Sequence, residues 1–173
     1  MKLSHQIQRF WAFFKAPQDI QAHCDIPCGI YDPHTAQIAA LTVIRMNQLI
    51  QDLPKITPEM SAKDRETYMH QLSRYVKVKE DHAEICKHEL RVIWGDYFKP
   101  DHLKTFPDLH TTFWDAMKLA SKCRTEANLD SANQLLAKVQ QIAEMFWKSK
   151  GVDVKKQPSN QNAKGELLYP VAK

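Results

Sequence analysis

Apolar residues recur at intervals of three and four along most of the chain, and the sequence has no alternating apolar–polar stretch of any length. This spacing is the period of an α-helix with one buried face, so the pattern predicts helices. The first predicted helix opens at Asp32-Pro33, where a capping residue precedes a proline at the first helical position, and it ends at Pro54. Its apolar stripe contains Ala39, Val43, Met46, Ile50 and Leu53.

Three more helices are predicted by the same criteria. The second begins at residues 57–59, a Thr-Pro-Glu start, and extends to about Trp94 or Phe98 before a Lys-Pro pair. The third spans about residues 108–125. The fourth follows an Asp-Ser pair at residues 130–131 and ends near Gly151.

Four amphipathic helices with short connectors bury their stripes most economically against one another. The sequence therefore predicts an all-α fold, an antiparallel four-helix bundle that occupies the chain up to residue 150. Periodicity is lost over residues 151–173 and polar residues dominate there, which predicts a flexible C-terminal tail in which residues 167–169 are the candidates for docking.

Composition changes this picture little. The chain has 173 residues, of which 43% are hydrophobic and 25% charged, as expected for one globular unit with its own core. Its 24 basic residues are scattered among 20 acidic ones, and the net charge of +4 does not indicate a nucleic-acid partner. The apolar cluster at residues 10–14 is too short for a bilayer span or a secretory signal, so we expect no membrane association and a cytoplasmic location.

The candidate chemistry lies in AHCDIPCGIYDP, residues 22–33. His23, Cys24 and Cys28 are three potential metal ligands in a loop before the first helix, whereas Cys86 and Cys123 occur singly in predicted helices and are interpreted as buried thiols. A structural zinc site requires a second ligand pair elsewhere, and a thioredoxin-type pair requires the spacing CxxC; the sequence offers neither.

Main-chain nitrogens are the remaining donors close to these side chains. A free amino group at His23 and a deprotonated amide at Cys24 would join two thiolates in a planar set of two nitrogens and two sulfurs. Planar sites of this kind favour nickel(II) or copper(II), and the thiolates favour nickel.

The segment HCDIPCGIYDP resembles the nickel hook of the nickel superoxide dismutase family, whose pattern is His-Cys-x-x-Pro-Cys-Gly-x-Tyr. WGDYFKP at residues 94–100 and IAEMFWK at residues 142–148 are similar to other segments of that family. The resemblance covers roughly residues 23–150. The fixed positions of the hook pattern are matched by His23, Cys24, Pro27, Cys28, Gly29 and Tyr31.

The resemblance implies an enzyme that disproportionates superoxide to oxygen and hydrogen peroxide through a Ni(II)/Ni(III) cycle, with one nickel ion per subunit of a homohexamer. The implied ligands are His23, whose imidazole is axial, together with Cys24 and Cys28, and the implied hook covers residues 23–31. Tyr31 is implied as a catalytic residue over the open face of the metal.

The resemblance also implies a precursor. Residues 1–22 would be a leader that a maturation peptidase removes between Ala22 and His23, so that the amino group becomes available only after cleavage. Asp25 and Pro27 are implied to support the hook, through main-chain hydrogen bonds and by fixing its bend.

One departure from the family concerns the support of the axial imidazole. The family uses a glutamate on the first helix and an arginine on the second, and the matching positions here are Ala39 and His82. Either His82 supports the imidazole with a partner such as Glu80 or Glu84, or the imidazole is held more loosely than in the family.

Two other classes of function stay open on the sequence. One is a non-catalytic helical carrier of nickel or copper, and the other is a helical interaction module with a redox switch formed by a Cys24–Cys28 disulfide. Other conspicuous side chains are interpreted as structural: His70, His88, His102 and His110 as surface or packing residues, and Trp94, Tyr97 and Phe98 as bundle or subunit contacts.

Overall fold

The computed structural model describes residues 28–171. Four long helices account for most of them, and two short strands follow the last helix. The helices are α1 His34–Gln51, α2 Ala62–Val92, α3 Leu109–Thr125 and α4 Leu129–Ser149, and the strands are β1 Val154–Pro158 and β2 Glu166–Pro170.

The start of α1 follows its predicted capping chemistry, whereas α4 begins before the predicted Asp-Ser pair, because Asn128 is its cap and accepts the N–H of Ser131 over 3.0 Å. The main-chain N–H of His34 donates to Asp32 Oδ1 over 2.7 Å, so α1 begins where the Asp-Pro pair predicts. α2 begins later than predicted, because Thr57 and Met60 close a turn and Ser61 acts as the cap, accepting a hydrogen bond from the N–H of Asp64 over 3.1 Å.

The predicted stripes are the buried faces of the helices. α1 packs against α2 and α4, and α3 packs against the same two helices, so each helix has two neighbours. Val43 of α1, Leu90 of α2, Phe113 of α3 and Phe146 of α4 are all completely buried in one common core. The prediction of a mainly helical fold built on four helices is confirmed.

A π-helical turn ends the second helix. Over Ile93–Tyr97 the hydrogen bonds skip one residue more than in an α-helix, and the N–H of Phe98 donates to the carbonyl of Ile93 over 3.2 Å. Such a turn widens the helix and redirects the side chains that follow it. It delivers Tyr97 to the place where the chain enters α1, and a 3₁₀ turn over Pro100–Lys104 comes directly after it.

The C-terminal segment differs from its prediction. The sequence predicted a flexible tail and an all-α fold, but β1 and β2 form an antiparallel hairpin in which Lys156 is opposite Leu168. Leu167 and Leu168 are 1% and 3% exposed, so the hairpin is docked on the helices. Two strands of five residues carry too little periodicity to be recognised, and the helices supply the surface on which the hairpin is stable.

Side-chain amides of α1 and α4 seal the outer edge of β2. Hydrogen-bonded pairs alternate along an antiparallel ladder, so the main-chain groups of Leu168 point away from β1. Gln37 meets them with both ends of its amide, donating to Leu168 O over 2.9 Å and accepting from Leu168 N over 2.8 Å. Gln140 donates to Glu166 O over 2.7 Å in the same way.

Replacing Gln37 with leucine is expected to loosen the hairpin. The change leaves a buried N–H and a buried C=O without partners, which costs about 1–3 kcal/mol each in desolvation, so we expect the free energy of unfolding to fall by about 2–6 kcal/mol. Urea unfolding measures it. The exposed Gln71 of α2 offers a matched control, and an equal loss in Gln71→Leu would contradict the special position of Gln37.

None of the helices within residues 28–171 combines the length and the apolar character that crossing a membrane requires.

Candidate metal centre

Cys28 is the one predicted ligand that falls within the described residues. His23, Cys24, Asp25 and Pro27 lie outside them, as does the predicted cleavage point after Ala22. Cys28 is exposed, and its Sγ accepts the N–H of Ile30 over 3.4 Å. Gly29 between them has a φ of +72°, a left-handed conformation that glycine adopts without strain.

The surroundings of Cys28 suit a soft metal ion. A main-chain N–H aimed at sulfur stabilises negative charge on it, and thiolate sulfur is the donor that soft and borderline metals prefer. The exposed position leaves the sulfur accessible to an ion held by the preceding residues. The donor chemistry at Cys28 therefore fits the predicted nickel hook.

The residue that follows the Cys28–Ile30 segment, Tyr31, forms an aromatic pair with Tyr97. The rings of Tyr31 and Tyr97 have centroids 5.7 Å apart at an angle of 58°. Tyr97 also packs on Phe146, with centroids 4.5 Å apart, and lies parallel to the ring of His102 at 5.8 Å. The hook is thereby rooted on the core through Tyr31.

The hydroxyl of Tyr97 is hydrogen-bonded to α4. Its oxygen is 2.6 Å from Ser149 Oγ, and the Ser149 hydroxyl lies 2.7 Å from the carbonyl of Phe146, to which it donates. Since a serine hydroxyl has one proton, the Tyr97 hydroxyl is the donor in the first of these bonds. Tyr97 contributes its ring to the site while its proton is engaged elsewhere.

An open cavity of about 410 Å³ lies next to the residues that follow Cys28. Its lining combines the aromatic pair with one acidic and one basic side chain, Asp96 and Lys99, both exposed. The N–H of Lys99 donates to His102 Nδ1 over 2.9 Å, so in the neutral ring the proton is on Nε2. The lining residues are Gly29, Tyr31, Asp96, Tyr97, Lys99 and His102.

The structure places two residues beside the candidate site that the sequence did not assign to it. Tyr97 and His102 were interpreted as packing residues, and both line the cavity next to Cys28. The usable signal was the WGDYFKP segment, which resembles the family as the hook does. Nothing in the sequence indicated that this segment lies next to Cys28. Its placement depends on a π-helical turn, which has no recognisable sequence pattern.

The predicted supporting positions show no described contact with the hook. Ala39 is 2% exposed in the core, and His82 Nδ1 is 2.9 Å from the carbonyl of Val78 in its own helix. His82 precedes Tyr97 by fifteen residues, a rise of about 22 Å along a helix. A role for His82 beside the imidazole of His23 stays a prediction.

The two helical cysteines are buried, as predicted. Cys86 and Cys123 are 0% and 1% exposed. Burial raises the pKa of the Cys86 thiol, and burial is also the main cause that raises the pKa of Cys123 to about 11. Both are therefore neutral thiols near pH 7, and residues 28–171 contain no group of three His, Cys, Asp or Glu side chains suited to a metal.

These features define a class of protein: a mainly helical protein in which the one described candidate ligand, Cys28, precedes the first helix and adjoins a cavity lined by aromatic residues. The model of the nickel-containing superoxide dismutase family matches residues 18–150. The chain belongs to that family, as the hook pattern predicted. The predictions of an oxidoreductase family and of nickel as the family's metal are confirmed with it.

Individual relatives agree. The nickel superoxide dismutase of Streptomyces seoulensis is 36% identical over 131 residues, which cover 76% of this chain and 90% of that protein. The corresponding protein of Streptomyces coelicolor is 33% identical over 131 residues, with the same coverage. A solved nickel superoxide dismutase with the nickel ligation of its oxidised state has a TM-score of 0.64 at 33% identity, covering 75% of this chain and 99% of the solved one. A native structure gives 0.62 at 33% identity, covering 74% and 99%.

Proposed function

We propose that this chain is a nickel-dependent superoxide dismutase, which converts two superoxide anions and two protons into oxygen and hydrogen peroxide once residues 1–22 have been removed. Membership of the family carries the proposal. The complete hook pattern and the exposed Cys28 beside the Tyr31–Tyr97 pair support it. Nickel content and the rate of superoxide decay, measured on the chain cut after Ala22, test it: a trimmed chain that binds no nickel would contradict it.

The proposed ligands are the side chains of His23, Cys24 and Cys28 and the main-chain nitrogens of residues 23 and 24. When bound, nickel supplies the one-electron Ni(II)/Ni(III) couple that the reaction needs, and strongly donating thiolates bring its upper state within reach. Asp25 and Pro27 would fix the shape of the hook. The residues around it would admit superoxide and hold water near the metal.

Superoxide is a small anion, and the cavity beside Cys28 is suited to it in two respects. The exposed Lys99 lines the cavity, and its ammonium group attracts anions over distances up to about a Debye length, roughly 10 Å at 0.1 M salt. The rings of Tyr31 and Tyr97 line the same cavity. We assign Lys99 to substrate attraction and Tyr31 to control of access and of ordered water.

Changing Tyr31 to phenylalanine is expected to spare nickel binding and alter turnover. The ring that packs on Tyr97 is kept, whereas one hydroxyl group is lost. A hydrogen bond is worth about 0.5–1.5 kcal/mol, so we expect kcat/KM to fall by about 2- to 10-fold, with altered inhibition by small anions. Pulse radiolysis and nickel analysis measure the two properties; Tyr75→Phe on α2 is the control, and loss of nickel from Tyr31→Phe would contradict the assigned role.

Changing Lys99 to glutamine is expected to slow the reaction in a salt-dependent manner. Removal of one exposed positive charge near the site should lower kcat/KM by about 2- to 5-fold at low ionic strength and by less at 0.5 M salt, because salt screens the attraction. The exposed Lys63, in the first turn of α2, provides the same charge change far from the cavity. Equal effects of Lys99→Gln and Lys63→Gln would refute local steering.

Three further parts of the proposal concern assembly and maturation. We propose that the four helices form an antiparallel bundle, that six copies assemble, and that a peptidase frees His23 in the cytoplasm. The resemblance to the family supports these points. Exposed apolar side chains on the outer faces of α2 and α3, such as Met69, Ile85 and Trp114, are surfaces that an assembly would cover.

A further inference from the structure

We propose that the C-terminal hairpin positions the metal hook, acting through the first turn of α1. The proposal rests on the function proposed above, because it assigns the hairpin to the nickel site. It concerns residues 151–171, which lie beyond the segment that matches the family, so the hairpin is an addition of this chain to the matched fold.

The hairpin holds the first turn of α1 by two contacts. The ring of Tyr169 on β2 lies against His34, the first residue of α1, with centroids 5.6 Å apart at an angle of 40°. One residue back on β2, both main-chain groups of Leu168 are bonded to the buried amide of Gln37. The two contacts fall within residues 34–37, a single helical turn, and they join positions more than 130 residues apart in sequence.

The first turn of α1 directly follows the segment that bears Cys28. Asp32 accepts the N–H of His34 over 2.7 Å, and the carbonyl of Pro33 accepts the N–H of Gln37 over 3.2 Å. Only five residues separate Cys28 from His34. The segment that bears Cys28 is therefore fixed at Tyr31 by the ring of Tyr97 and at His34 by the hairpin.

Anchoring of the first turn of α1 favours metal binding for an entropic reason. A metal ion that takes its ligands from one segment must hold each residue of that segment in place, and each residue that is fixed costs backbone entropy. Residues that are already held by the hairpin do not add to that cost. If the first turn of α1 frays when Tyr169 is lost, ordering about one more residue should weaken nickel binding by roughly tenfold.

The experiment uses the full chain cut after Ala22, with the substitution Tyr169→Ala. Tyr169→Phe keeps the ring and serves as the conservative variant. Lys156→Ala, on the exposed strand β1 opposite Leu168, controls for general weakening of the hairpin. Amide hydrogen exchange of residues 34–38 in the metal-free protein reports on the turn, and competition with a chelator of known affinity gives the nickel dissociation constant.

We expect Tyr169→Ala to speed exchange at residues 34–38 and to raise the nickel dissociation constant about tenfold, whereas Tyr169→Phe and Lys156→Ala leave both near wild type. His34→Ala should reproduce the effect from the other side of the contact. The double variant His34→Ala with Tyr169→Ala should be no worse than either single change, because both remove one interaction.

Faster exchange with unchanged nickel affinity would overturn the proposal, since the hairpin would then brace α1 without serving the hook. Unchanged exchange in both His34→Ala and Tyr169→Ala would overturn it as well. Failure of the wild-type trimmed chain to bind nickel would refute the proposed function itself. The two failures can be told apart, because this one appears in the wild-type chain before any substitution is made.

Discussion

A single residue left ahead of His23 is expected to abolish superoxide removal. The amino group at residue 23 would then be part of an amide, whose nitrogen lone pair is delocalised and becomes available to a metal only after loss of the N–H proton, so the metal would lose its amine ligand. Disturbing groups that only support a ligand typically costs 10- to 100-fold in affinity or activity, so we expect the loss of a ligand to cost at least about 100-fold. The chain cut after Ala22 and the chain cut after Gln21 form the matched pair.

The helices should be unaffected by this change. The described core is built from α1 to α4 and the hairpin, all of which begin after residue 33. Circular dichroism and the unfolding midpoint should therefore be the same for the two chains, and a residue added after Lys173 should leave activity intact. A chain with one extra leading residue that removes superoxide as fast as the trimmed chain would contradict the role of the amine.

Replacing either hook cysteine with serine is expected to eliminate the absorption of the nickel–thiolate bond. A serine hydroxyl is a hard donor that stays protonated near neutral pH, so the planar donor set loses one of its two sulfurs. We expect Cys24→Ser and Cys28→Ser each to lower nickel affinity by at least about 100-fold, beyond the usual effect of a residue that only supports a ligand. Equilibrium dialysis with elemental analysis measures the affinity, and ultraviolet-visible spectroscopy follows the band.

The buried cysteines provide the controls for that experiment. Cys86 and Cys123 are neutral thiols in the core, so Cys86→Ala and Cys123→Ala should keep both the band and the affinity. They should also differ in reactivity: a thiol reagent at pH 8 should modify the exposed Cys28 in the metal-free protein long before the two core thiols. An unchanged absorption band in Cys28→Ser would rule out ligation by this thiol.

The helices were predictable because apolar residues at helical spacing mark the face of each helix that is buried. Phe113 on α3 and Phe146 on α4 recur with their neighbours at helical spacing, and both are completely buried. The cap at Asp32 predicted the start of α1, since that signal is local. The hook was predictable for a different reason, since its unusual residue types occur in a fixed order within nine positions.

What the sequence could not predict depends on contacts between distant segments. Gln37 and Gln140 stabilise the hairpin by bonding to main-chain groups on the outer edge of β2, and a single sequence does not show which glutamines will reach such an edge. His102 and Lys99 reach the cavity beside Cys28 because a π-helical turn redirects the chain after Ile93, and such turns have no sequence signature that single-chain reasoning can use.

Nickel content and superoxide decay, measured on one preparation of the chain cut after Ala22, test the central claim most directly. We expect about one nickel ion per chain, an absorption band that disappears with a strong chelator, and superoxide decay by pulse radiolysis that is faster than in buffer by orders of magnitude. Nickel uptake without faster decay would leave a metal carrier in place of an enzyme. A correctly trimmed, folded chain that takes up no nickel would contradict the whole account.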